Sequence, residues 1–244
     1  MNMKAGANEE AVLAILPGLL CDHLMFDRQL AAFPGSMAID GFYGGADTIA
    51  DMADYALRRL PRRCALLGHS MGARVALEVF RKAPHRITRL ALADTGIHPV
   101  RPGEREKRYA LRDLGRIKGF GALVDAWLPG MIGHERRADP DLYGQLRKMC
   151  MGAGQAVFEA QVEALLDRPE VVSLLATIEC PVSVIVGELD KWSPVEQHRE
   201  IAEAIRHAEL HVVSGAGHMA PTEKPEQFNE VLRNWFAQSW VVNS

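Results

Sequence analysis

Residues 64–80 read CALLGHSMGARVALEVF, an apolar run that meets Gly68-His69-Ser70-Met71-Gly72 and continues directly as a helix. Short aliphatic runs of this kind form strands buried on both faces of a parallel sheet. A strand that becomes a helix within so few residues needs a turn tight enough to force Ser70 into an uncommon backbone conformation. The flanking glycines remove side chains that would collide with the neighbouring strand and helix. Ser70 Oγ is thereby presented at the carboxyl end of the strand. The helix dipole and the Met71 N–H point to where an oxyanion would form. This is the nucleophile elbow, G-x-S-x-G in the strand-turn-helix setting that the motif requires.

Candidate buried strands recur at residues 11–16, 37–40, 64–68, 90–94, 182–187 and 210–213. Between the second and third, Ile49, Met52, Ala53, Ala56, Leu57 and Leu60 share one helical face, and Pro61 marks its end. After the fifth, Ser193, Pro194 and Glu196 read as an N-cap, a proline at the first helical position and a capping-box partner. Behind Pro225, the spacing of Phe228, Val231, Leu232, Trp235 and Phe236 predicts a closing helix. Strands alternating with helices predict an α/β fold, a mostly parallel sheet of about six strands with helices on both faces.

Residues 96–177 break the alternation: they hold no convincing strand, many charges and helical fragments such as Leu142, Leu146, Met149 and Cys150. The expected division is a core of residues 1–96 and 178–244 with a helical cap of residues 97–177. The cap is a candidate lid; the alternative is a set of crossover helices on one face of the sheet.

A serine hydroxyl is a poor nucleophile at neutral pH and needs a base, with a further group to hold that base in the right tautomer. His218 follows the last strand on a glycine-rich loop, in SGAGHMAPTEKPEQF. Asp190 follows the fifth strand in VIVGELDKWSP, which gives the chain order Ser, Asp, His. Asp94 ends the preceding strand and is the rival acid, while Glu188 reads as a local cap or pair. His69 adjoins Ser70 but points away from the tip of the turn. The loop in LAILPGLLCDHL supplies a second oxyanion donor in the Leu19 N–H beside Met71, with Gly18 permitting close approach. The same loop also reads as an ordinary turn with Asp22 as N-cap. Leu20, Arg74 and Trp192 are candidate substrate contacts.

A formal charge of -3 offers no basic excess for gripping nucleic acid, and no apolar stretch approaches the length of a membrane span. The amino-terminal MNMKAGANEE reaches acidic residues before any apolar run, so no signal peptide is expected and the expected location is the cytoplasm. Cys21, Cys64, Cys150 and Cys180 lie far apart without a CxxC pair, which predicts free thiols and no metal knuckle; Cys21 reads as a small buried hydrophobe.

The four segments LPGLLCD (16–22), GHSMGARVAL, VGELDKWSP and GAGHMAPTEKPEQF, in this order, resemble the α/β-hydrolase superfamily over nearly the whole chain. The resemblance is nearest to small bacterial carboxylesterase-like members. It implies a helical cap, a cofactor-free serine mechanism, a small-molecule acyl substrate and ester or thioester hydrolysis. The oxyanion loop departs from the pattern, with Leu-Pro-Gly where many relatives have His-Gly. The chain also starts too late for two leading antiparallel strands, so a sheet trimmed at one edge is expected. Arg74 is similar in placement to an arginine of the menaquinone-pathway lyases of this fold, which makes a lyase acting on an acidic substrate the alternative. Its other reading is a structurally paired helix residue. Arg101, Arg105, Arg108, Arg112 and Arg116 either assist an anionic substrate or form a solvated helix face. A ligand receptor or regulator that keeps the three residues without turnover is the non-enzymatic alternative.

Overall fold

The computed structural model describes residues 12–238. Ala11, where the first strand was expected to begin, and the amino-terminal segment read for a signal peptide lie outside them. Six strands form one sheet: β1 (Val12–Leu16), β2 (Met37–Ala38), β3 (Cys64–His69), β4 (Ile87–Ala93), β5 (Val182–Gly187) and β6 (Ala208–Val213). Their order is β2-β1-β3-β4-β5-β6, and every pairing is parallel. All residues of β3 and β5 are buried, as a strand covered on both faces must be.

The helices of the first half are α1 (Asp27–Ala32), α2 (Ile49–Leu57) and α3 (Met71–Lys82). Those between β4 and β5 are α4 (Glu104–Lys118), α5 (Phe120–Trp127), α6 (Pro140–Ala153), α7 (Gln155–Leu166) and α8 (Val172–Leu175). The last three are α9 (Val195–Ala204), α10 (Ala220–Glu223) and α11 (Pro225–Ala237). The chain steps from β1 outward to β2, then back past β1 to β3 and onward to β6. Right-handed crossovers therefore put α1 on one face and α2, α3 and α9 on the other. The packing agrees: α2 lies against α3, and α11 returns to lie against α1. Between β4 and β5 the described chain is helical and carries no strand.

This order reverses direction between β1 and β3, the switch point where the loops leaving two neighbouring strands part and open a crevice at their carboxyl ends. The register aligns Leu16 with Gly68 and Gly68 with Leu92, so the exits of β1, β3 and β4 lie side by side. The loop with Leu19, the turn with Ser70 and the end with Asp94 therefore meet at one edge. α3 is buried at every position from Met71 to Phe80, which encloses even Arg74 and Glu78.

Candidate active site

Ser70 sits between β3 and α3 with φ 54° and ψ −117°, a conformation that a residue with a Cβ rarely adopts. The turn is that tight because the backbones touch. A Cβ on Gly72 would stand 2.0 Å from the Leu16 carbonyl oxygen, and one on Gly68 would stand 2.5 Å from Gly72 O. The turn aims Ser70 Oγ at His218, whose Nε2 lies 2.9 Å away.

His218 Nδ1 is 2.7 Å from Asp190 Oδ2, and both side chains are buried. Burial alone would raise the Asp190 carboxyl. The charge and hydrogen bond of His218, with the N–H and hydroxyl of Ser193, outweigh it and hold the group at about 2. An ionised carboxylate only accepts, so Nδ1–H donates to Asp190 and Nε2 is left to accept the Ser70 proton. Asp190 Oδ1 also accepts the Trp192 and Ser193 N–H groups, at 2.8 and 3.0 Å.

The N–H groups of Leu19 and Met71 find no protein acceptor among the described residues, and both residues line the cavity above Ser70. That cavity measures about 340 Å³ and also admits Arg74, Trp192 and Cys21. Cys21 is buried, its thiol lies 3.3 Å from Leu19 O, and burial pushes it well above its ordinary range. Leu20 departs from the expectation. A positive φ of 60° turns it away from the cavity into the core, and its N–H is taken by Gln161 Oε1 at 2.9 Å.

A model of the alpha/beta hydrolase family matches residues 15–231. The chain belongs to that family. A candidate 2-succinyl-6-hydroxy-2,4-cyclohexadiene-1-carboxylate synthase of Bacillus subtilis is 26% identical over 78% of this chain and 72% of its own length. A 2-hydroxy-6-oxononadienedioate/2-hydroxy-6-oxononatrienedioate hydrolase of Pseudomonas is 24% identical over 72% of this chain and 64% of its own. A thermophilic esterase of Thermogutta terrifontis, solved with malate bound, superposes with a TM-score of 0.80 and 27% identity, covering 92% of this chain and 89% of that one. The enol-lactonase of Burkholderia xenovorans LB400 shares the fold at a TM-score of 0.81 and 21% identity, over 95% and 93% of the two chains.

In this hydrolase the rival acid faces another partner. Asp94 accepts the Gly187 N–H at 2.9 Å and lies 3.6 Å from His69 Nε2. Burial first, then the charge of Asp190, raises its carboxyl well above the ordinary range. His69 donates from Nε2 to the His218 carbonyl oxygen at 2.8 Å, and burial lowers it to about 3. It therefore stands behind His218 rather than against Ser70. Glu188 pairs locally with Ser214 and the Gly215 N–H.

Other residues of the site escaped the sequence reading. Ser193 does not cap α9, which begins at Val195 after Pro194 without a side-chain cap. Its hydroxyl instead donates to Asp190 Oδ2 at 2.8 Å. Glu223 is buried and accepts three N–H groups, from Gly133, Gly217 and Met219, tying both sides of His218 to the segment after α5. The His218 N–H donates to Met131 O at 2.8 Å, a second tie to that segment. The acid inside GAGHMAPTE was the available signal for Glu223; nothing local marks Met131.

Among the described residues no three His, Cys, Asp or Glu side chains converge to hold a metal, and no helix is long and apolar enough to cross a membrane.

Proposed function

We propose that this chain is a cytoplasmic serine hydrolase that cleaves a carboxylic ester or thioester of a small molecule. The observation that carries the reading is the unbroken chain from Ser70 Oγ through His218 to Asp190, at 2.9 and 2.7 Å, opening on the cavity. Ser70 Oγ attacks the acyl carbonyl carbon as His218 Nε2 takes its proton, and Asp190 stabilises the imidazolium. The Leu19 and Met71 N–H groups receive the developing oxyanion. Collapse expels the alcohol or thiol, which takes the proton back from His218. Water then attacks the acyl-enzyme by the same route and frees Ser70. The hydrogen bond between Asp190 and His218 Nδ1, and a carboxyl held low at about 2 where burial pushes Asp94 up, favour Asp190 as the acid, since an orienting acid must be ionised. The helices of residues 97–177 serve as the cap over the core formed by residues 1–96 and 178–244.

The test is Ser70→Ala, which keeps the fold by circular dichroism and loses p-nitrophenyl ester hydrolysis by several orders of magnitude. Unchanged turnover would overturn the assignment.

A second reading, a lyase on an acidic substrate, draws on one observation: Arg74 faces the cavity beside Ser70. The Bacillus relative named as a carboxylate synthase is in keeping with it. Substrate-dependent elimination without any ester hydrolysis by the wild-type chain would favour this reading.

A further inference from the structure

The loop that offers the Leu19 N–H to the cavity is held from three directions. Residues 18–21 form a turn closed by the Cys21 N–H on Gly18 O at 3.1 Å. Tyr43 Oη donates to Pro17 O at 2.7 Å, and the buried Cys21 thiol donates to Leu19 O at 3.3 Å. The third hold is on the Leu20 N–H, which Gln161 Oε1 accepts at 2.9 Å. Gln161 stands on α7, in the insertion between β4 and β5, 141 positions further along the chain.

Leu20 takes the third position of this turn with a positive φ of 60°, a place that glycine or asparagine usually fills. A leucine keeps such a conformation only where its surroundings over-determine it. Its side chain is fully buried, and both polar ends of the peptide group before it are engaged: Leu19 O by the Cys21 thiol, the Leu20 N–H by Gln161. That peptide group is the one that turns over when the third position of a turn exchanges a positive φ for a negative one. Cys21 and Gln161 grip it in one of the two orientations. The orientation also fixes ψ of Leu19, the residue whose own N–H faces the cavity.

Packing alone gives no reason for an amide at position 161. Gln161 is 1% exposed, on a face of α7 that otherwise buries Phe158, Val162 and Leu165. Its Nε2 has no hydrogen-bond partner among the described residues. An amide buried and half-satisfied destabilises a core that an apolar side chain of the same size would fill without an orphaned donor. What Gln161 contributes in return is the acceptor for Leu20.

We infer that Gln161 is a positioning residue for the oxyanion hole: from α7 it holds the Leu20 N–H, and through that peptide group it keeps the Leu19 N–H aimed at the place where negative charge develops. The inference rests on the hydrolase reading above. It gives the insertion a part in the chemistry besides covering the cavity, since one of its side chains shapes a donor on the core loop. A donor displaced by about an ångström serves the transition state poorly and leaves ground-state binding nearly intact.

The test compares Gln161→Met, of similar shape without the acceptor, with Gln161→Glu, which keeps an oxygen within reach of the Leu20 N–H. On p-nitrophenyl acetate, Gln161→Met is expected to lower kcat by about 10- to 100-fold with KM within about threefold of wild type. Gln161→Glu should recover most of that loss. Phenylboronic acid supplies the readout that a merely structural role would not move. Ser70 Oγ adds to boron, its proton passes to His218, and one oxygen of the tetrahedral adduct takes the oxyanion position. The inhibition constant should rise in Gln161→Met by about the factor that kcat falls. If Gln161→Met does not fold by circular dichroism, Gln161→Asn, whose carbonyl stops one methylene short, supplies the same comparison. Unchanged kcat in the folded variant, a loss confined to KM, unchanged boronate affinity, or no recovery in Gln161→Glu would overturn the inference and leave the hydrolase reading standing. A wild-type chain that neither cleaves the ester nor binds the boronate overturns both.

Discussion

Ser193 Oγ donates to Asp190 Oδ2 at 2.8 Å and lies 3.4 Å from His218 Nδ1, so one hydroxyl spans the joint between acid and imidazole. In the proposed mechanism it positions both. Ser193→Ala should lower kcat by about tenfold, the value of one charge-assisted hydrogen bond, with KM little changed. Ser193→Thr should recover most of the loss. Steady-state kinetics on a p-nitrophenyl ester check this; a change confined to KM would contradict it.

Asp190 and Asp94 are both buried, Asp190 against His218 Nδ1 and Asp94 against His69. Asp190→Asn removes the ionised partner of Nδ1 and should cost about 10³- to 10⁴-fold in kcat. Asp94→Asn changes a side chain that faces Gly187 and His69 rather than the His218 ring, and should stay within about tenfold of wild type. A larger loss in Asp94→Asn would make Asp94 the acid.

The buried histidines set an acid limit on stability. Burial holds His69 at about 3 and His198 at about 4, below the ordinary 6.5. Between those values the unfolded chain binds protons that the folded chain refuses, so stability falls as pH drops below about 6.5. The loss is on the order of 2 kcal/mol per histidine by pH 5. Asp190, lowered to about 2, adds stability that is in place above its ordinary 3.8 and is lost as pH falls through about 2. Urea denaturation at pH 7, 6 and 5 should show a steadily falling midpoint; a flat profile would contradict the burial of uncharged imidazoles.

Backbone contact at the elbow makes a directional prediction about glycine. Gly72→Ala drives a Cβ to 2.0 Å from Leu16 O and should destabilise the fold by about 2 kcal/mol or more. Gly144→Ala, within α6 and with open space where its Cβ would stand, should be neutral or stabilise by up to about 1 kcal/mol. Chemical denaturation of the two variants measures the contrast.

Much of this architecture was readable because its signals are local. The elbow needs glycine on both sides of Ser70 within five residues, and the Asp190 and His218 loops each follow an apolar strand directly. Six strands were expected, and six occur among the described residues, with β4 and β6 each beginning earlier than the hydropathy suggested. Thr88 and Arg89 interrupt the apolar pattern of β4, while β6 is half-exposed and interleaves Glu209 and His211. The remainder of the site depends on distant pairings. Glu104 meets Arg168 across 64 positions, and Glu223 meets Gly133 across 90. No periodicity reports such contacts, because the helices between β4 and β5 owe their placement to tertiary packing. Ser193 illustrates the opposite error: its local pattern fits an N-cap well, but a buried carboxylate three residues earlier is the stronger acceptor for its proton.

Activation of Ser70 by His218 can be measured by labelling the intact chain with a fluorophosphonate, followed by peptide mass spectrometry. One covalent adduct is expected on the peptide containing Ser70, formed in the wild type and suppressed in a folded His218→Ala variant. No adduct at Ser70, or equal labelling with and without His218, would contradict it.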